Sequence, residues 1–148
     1  MRADLTLVRR LAAAEGGLAI VSTTRADATV QSSLVNAGVL DHPVSGDPVI
    51  GLVVRADAFK LRRIRVTGRA CVAFRAKWEW AAVEGPAELA GPDDPLDGVP
   101  AADIAGLLRD VFRAAGGTHD DWDEYDRVMA EQRRTVVLID PVRIYSNT

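Results

Sequence analysis

The sequence predicts a mainly β protein, an antiparallel barrel with appended helices formed as one domain. Short runs rich in β-branched residues, separated by Gly, Pro and Asp turns, fill most of the chain. These runs mostly follow one another directly, so the regular strand–helix–strand alternation of a doubly wound sheet is missing. A chain of 148 residues with 48% apolar composition can bury one substantial core but not two ordinary ones.

Taken in order, Leu5, Leu7, Val8, Leu11 and Ala12 recur at helical spacing after Asp4, and Gly16-Gly17 supplies the stop. LAIVSTT (18–24) is a strand, RADA (25–28) a turn and TVQSSLVNAGVL (29–40) the returning strand of a hairpin. DHPVSGD (41–47) has loop composition, and PVIGLVVR (48–55) is a third strand. AFKLRRIRV (58–66) is expected to form a short basic helix ended by Gly68. RACVAFR (69–75) and WAAVEGPAELA (80–90) alternate as strands do. After a Pro/Asp/Gly loop come two amphipathic helices, DIAGLLRDVFRAAGG and DDWDEYDRVMAEQRR; the second places Trp122, Tyr125, Val128 and Met129 on one face. TVVLIDPVRIYSN closes the chain as two strands broken at Asp140-Pro141.

Composition narrows the function. A net charge of −3 and a pI near 5.4 argue against nucleic acid as the main partner. The N-terminal segment carries charges throughout and resembles neither a signal peptide nor a membrane span. With Cys71 the sole cysteine there is no intrachain disulfide, and cytoplasm is the expected compartment. GxGxxG, Gx4GK[ST] and GxSxG patterns are absent. His42 and His119 occur without metal-ligand spacing and are expected to be surface residues. Cys71, inside an alternating strand, is expected to pack rather than react. The acidic run from Asp120 to Asp126 suits a helix N-terminus, where carboxylates meet the positive dipole end, better than a metal site.

One feature contrasts with the acidic background. Arg55, Lys60, Arg62, Arg63 and Arg65 fall within eleven residues, opposed only by Asp57. A helix that opens directly after a strand brings free backbone N–H groups, its dipole and Lys60 toward one anion, and a phosphate fits that description. Four segments, GLAIVSTTRADATVQSSLVN, VVRADAFKLRRI, WEWAAVEGPAEL and HDDWDEYDRVMAEQRRTVVLIDPVRIY, occur in an order that resembles the pyridoxamine 5'-phosphate oxidase-like split-barrel superfamily. Within it, the chain is most similar to the actinobacterial branch that uses the deazaflavin coenzyme F420.

The resemblance implies a homodimeric split β-barrel spanning the whole chain. It implies Lys60, with Arg62 and Arg63, as the phosphate grip, and Gln31, Ser33 and Asn36 as polar residues of the cofactor groove. Trp78 and Trp80 would be aromatic residues near the ring site, across the dimer interface. Arg55, just ahead of Lys60, joins the group by its charge. Gln31 and Ser33 share a face of their strand, whereas Asn36 needs a bulge or twist to join them. The loop at 41–48, longer than in similar chains, is expected to alter one wall of the substrate mouth. The implied activity is hydride transfer from the reduced coenzyme to a conjugated small-molecule acceptor, with no catalytic side chain required. FMN is the alternative cofactor. The arginines beyond Lys60 exceed what one phosphate needs and favour the longer anionic tail of coenzyme F420. A carrier that binds cofactor without turnover is the reading from a different class.

Overall fold

The computed structural model describes residues 4–148, so the expectations that fall on Met1, Arg2 and Ala3 lie outside the described residues. The strands are β1 (Leu18–Thr24), β2 (Val30–Asp41), β3 (Pro48–Val54), β4 (Arg69–Ala76), β5 (Glu79–Ala90), β6 (Thr135–Ile139) and β7 (Arg143–Ser146). The helices are α1 (Thr6–Ala14), α2 (Phe59–Thr67), α3 (Ile104–Ala114) and α4 (Trp122–Glu131). Strands neighbour one another in the order β4-β1-β2-β3-β6-β5-β7, and β4 also pairs with β5. That last pairing closes six strands into a barrel and leaves β7 appended to β5. Every pairing is antiparallel.

Alternation decides what the barrel encloses. Leu52, Val54, Val137 and Ile139 point inward with Val21, Val72, Phe74 and Val83, and α1 and α2 add Val8, Leu11, Leu61 and Ile64 to the same core. Val136, Leu138 and Val49 point the other way and pack against Leu107, Leu108, Val111 and Tyr125 of α3 and α4. β6 is therefore buried along its whole length and β3 nearly so, which is why both read as unbroken apolar runs instead of alternating ones. Of the described helices, none is long and apolar enough to cross a membrane.

The α3 C-terminus approaches the barrel closely, and two glycines permit it. A Cβ on Gly38 would lie 2.0 Å from the Ala114 carbonyl oxygen, and one on Gly17 would lie 1.9 Å from that of Ala115. Both neighbours are backbone and cannot rotate away. Gly17 also adopts φ +83° beyond α1, a conformation open to glycine at little cost. Gly38→Ala is expected to reduce unfolding free energy by about 1–3 kcal/mol through overpacking. Gly106→Ala, in the exposed interior of α3 with no atom near its Cβ, should raise it by about 0.5–1 kcal/mol. Chemical denaturation of the two variants measures both effects.

Candidate cofactor cavity

α2 begins four residues after β3. Ala58 is extended (φ −70°, ψ 136°), carries no capping side chain, and turns the chain into Phe59 and Lys60. Lys60 is half-buried and has no hydrogen-bond or ion-pair partner among the described residues. Its side chain borders a cavity of about 440 Å3 that also meets Asn36, Arg55 and Arg134, with Val53, Phe112 and Tyr125 among its apolar walls. No carboxylate lines this cavity.

The wall opposite the barrel is held by contacts between α3 and α4. Arg109 donates two hydrogen bonds to Asp126, at 2.9 and 2.6 Å, and lies 5.3 Å from the Trp122 ring centroid. The Tyr125 hydroxyl donates to the Leu108 carbonyl at 3.1 Å, and burial pushes its pKa up to about 12. This phenol is a fixed structural donor. Asp121 caps α4 by accepting from the Glu124 amide at 3.1 Å, so the acidic run at the helix start has the role its position suggested.

Asn36, Arg55 and Lys60 are thus brought together, and the other residues singled out in the sequence are not. Asn36 lies on the face of β2 opposite to Gln31 and Ser33, in register with Leu18, while Ser33 and Gln31 pair with Val21 and Thr23. No bulge joins the two sets. Asn36 donates to the Gly16 carbonyl at 3.1 Å, and the buried Gln31 Oε1 has no partner. Arg62 donates to the Asp57 carbonyl at 3.3 Å and lies 5.5 Å from the Phe59 ring centroid. Arg63 donates to the Thr24 carbonyl at 2.7 Å, tying α2 to β1. Arg65 is bidentate to Asp94 at 2.9 and 2.6 Å. The surplus of cations counted on α2 is therefore largely engaged in holding the fold. Trp78 (92% exposed) and Trp80 lie around the β4–β5 turn, away from the cavity within one chain.

Arg134 is the residue the sequence reading missed. Val54 pairs with Thr135, so one step outward Arg55 stands across from Arg134 on the neighbouring chain segment. Burial, then the nearby Arg55 guanidinium, lowers the Arg134 pKa. A signal was available: in VVR (53–55) and RTV (134–136), antiparallel pairing sets the terminal arginine of one run beside that of the other.

His42 differs from the surface residue expected, whereas His119 stays partly exposed. The His42 side chain is only 10% exposed; its Nδ1 accepts from the Val44 and Ser45 amides at 3.1 and 3.2 Å, and Nε2–H donates to Glu88 at 2.9 Å. His42 thereby organises the 41–48 loop, which lies outside the lining of the Lys60 cavity. His119 Nδ1 accepts from the Asp121 amide at 3.0 Å, and the ring packs on Trp122 and Tyr125.

A second groove, of about 750 Å3, lies along β4, β5 and β7. Its Glu84 is already neutralised by Arg143 at 3.0 Å and accepts from Tyr145 at 3.2 Å. Cys71 sits here, half-covered on the outer face rather than in the core, 3.8 Å from the Tyr145 hydroxyl; burial raises its thiol pKa, which disfavours a nucleophile. Here Arg143 offsets Glu84 and the remaining cation, Arg69, is exposed, whereas Lys60 and Arg134 are half-buried at a cavity that no carboxylate lines.

No family model matches the sequence. Among solved structures, the chain is similar to a pyridoxamine 5'-phosphate oxidase-related, FMN-binding protein of Nostoc punctiforme (TM-score 0.64, 14% identity, 95% of this chain and 78% of that one). It matches an F420 reductase over 98% of both chains (TM-score 0.62, 13% identity). The fold is the pyridoxamine 5'-phosphate oxidase-like split barrel. The same split barrel is seen in HutZ, a heme storage protein of Vibrio cholerae (TM-score 0.60, 12% identity, 98% of this chain and 94% of that one). At these identities the likeness is one of fold, and the cofactor has to be argued from this chain's own split-barrel residues.

Arg109→Met is expected to lower the melting temperature near pH 7. Arg109 holds the Asp126 carboxyl below its ordinary value, so the contribution is present above about pH 4 and is lost as pH falls through the folded-state pKa. Thermal melts of the variant and the parent protein should converge as pH falls below the folded-state pKa of Asp126. A gap persisting there would mean that packing over Trp122, not charge, does the holding.

Proposed function

We propose that this chain is an oxidoreductase subunit that binds a phosphate-bearing flavin-type cofactor in the Asn36–Arg55–Lys60 cavity, coenzyme F420 in preference to FMN. The observation that carries the reading is the electrostatics of the cavity: Lys60 without a partner, Arg55 and Arg134 beside it, and no carboxylate in the lining. Unneutralised cations in a partly desolvated pocket call for an anion. The volume, about 440 Å3, falls in the range of small-molecule sites. Arg55 does have an ion pair with Asp57 at 3.3 Å, but both side chains are more than half exposed and the pair costs little to rearrange.

When bound, reduced coenzyme F420 supplies a hydride to a conjugated unsaturated acceptor. The protein's part is binding and orientation. Lys60 and the α2 N-terminus anchor the phosphate, Asn36 offers an amide at the rim, and Val53, Phe112 and Tyr125 exclude water. No side chain of the cavity is placed as an acid or base, and the carrier reading differs only in the absence of turnover. A heme reading finds less support in the donor set: His42 has both ring nitrogens engaged, and His119 Nδ1 is engaged as well.

A second copy of the chain completes the site in this proposal. Leu18, Ile20 (41% exposed) and Leu34 (63%) form an apolar patch on paired strands, and Trp78, Trp80 and Tyr145 extend the exposed apolar surface. A patch of this kind on a small barrel marks an interface. Leu34 also lines the Lys60 cavity, so the patch and the cavity meet. The homodimer would bring the partner's aromatic residues to the cavity mouth.

Titration with coenzyme F420 and with FMN, read by tryptophan quenching, tests the reading; tight coenzyme F420 binding with weak FMN binding is the expected result. Lys60→Ala should lose at least about tenfold in affinity, from one charge-assisted contact of about 1.5–3 kcal/mol, with the fold intact by circular dichroism. Unchanged affinity would remove Lys60 from the site. Sedimentation at micromolar concentration should give a dimer, and Leu34→Glu a monomer with weakened cofactor binding. A monomeric parent protein would contradict the shared site.

A further inference from the structure

We infer that Arg134 and Arg55 form a second anion subsite beside Lys60, which makes Arg134 the residue that selects ligands carrying more than one anionic group. This deepens the proposed function and rests on its placement of the cofactor.

The β3–β6 register carries the argument. Val54 and Thr135 are paired and point into the barrel, at 3% and 0% exposure. The next residue of each segment emerges on the opposite face, the one shared with Val53 and Val136, toward α3 and α4. Two arginines thus stand directly across from each other at the margin of a half-buried cavity. Like charges in this arrangement destabilise a sheet, and they persist where a bound anion offsets them. Arg134 is half-buried, and its described side-chain bond is to the neutral Gln132 Oε1 at 2.8 Å. Its neighbour Arg133, in contrast, is exposed and paired with Asp93. Of two consecutive arginines, the one without a carboxylate partner faces the Lys60 cavity.

The other basic residues of the segment cannot supply this subsite as they stand. Arg63 is engaged by the Thr24 carbonyl and Arg65 by Asp94. Lys60 comes from α2 while Arg55 and Arg134 flank the ends of β3 and β6, so the cations reach the cavity from different elements. A single phosphate on Lys60 leaves Arg134 without an anionic partner and Arg55 with only its exposed pair to Asp57. A ligand with a phosphodiester and a carboxylate-bearing tail satisfies both positions, and Arg134's planar fork suits a carboxylate.

The test titrates the parent protein, Lys60→Ala and Arg134→Gln with coenzyme F420 and with FMN by tryptophan quenching, alongside thermal melts with and without inorganic pyrophosphate. Arg134→Gln should lose about tenfold or more in coenzyme F420 affinity and less than about threefold in FMN affinity, whereas Lys60→Ala loses both. The ligand-free Arg134→Gln protein should melt no lower than the parent, since a like-charge contact is removed. Equal losses for the two cofactors, or no loss for either, would overturn the selectivity assignment. Should the parent protein bind neither cofactor, the cofactor reading falls, and pyrophosphate decides the subsite separately. A pyrophosphate-induced rise in melting temperature that Arg134→Gln abolishes supports it; an equal rise in both proteins overturns it.

Discussion

Strands β3 and β6 bury side chains on both faces, and this double burial positions the residues that line the Lys60 cavity. Inward, Leu52, Val54, Val137 and Ile139 belong to the barrel core; outward, Val136 and Leu138 hold α3 and α4 against the barrel wall. A one-residue slip in their pairing would exchange the two sets and empty both clusters, so the register is strongly specified. With the register set, Arg55 and Arg134 must stand opposite each other where the pair ends. α2 leaves β3 at the same place and brings Lys60. The cavity is the space between this edge and the α3–α4 wall.

Electrostatics then separates structural cations from available ones. Arg10, Arg65, Arg109, Arg133 and Arg143 each pair with a carboxylate on another part of the fold. Most of these pairs are exposed and contribute little individually. Lys60 and Arg134 have no such partner among the described residues, and both border one cavity. Half-burial of unpaired positive charge carries a free-energy cost, and binding an anion from solution offsets it. In the groove around Glu84, Arg143 offsets the carboxylate and the remaining cation, Arg69, is exposed, so little desolvation cost is there to be offset.

The strands and helices were legible in the sequence because their signals are local. Gly68 ends α2 and Gly17 follows α1 as expected, and the β-branched run of 18–24 is β1 to the residue. The asymmetry of Lys60 and Arg55 against an acidic background was also readable. What escaped depends on pairing between distant segments. Asn36 was grouped with Gln31 and Ser33 because they share a strand, yet period-two alternation through an unbulged β2 sends them to opposite faces. Arg63 and Arg65 counted as free cations because their partners, Thr24 and Asp94, lie far along the chain. Arg134 was passed over as the end of a helical run, and its role emerges only once β6 lies beside β3. His42 read as a surface residue because nothing local announced the Glu88 carboxylate opposite it.

The most direct measurement of the central claim is to map coenzyme F420 onto the isotope-labelled protein by backbone amide chemical shifts. The account predicts the largest perturbations at Asn36, Arg55, Lys60, Gly116 and Arg134, around the cation-rich cavity. Perturbations confined to Ser22, Cys71, Glu84 and Arg143, with the Lys60 region unmoved, would place the ligand in the groove around Glu84 and contradict it.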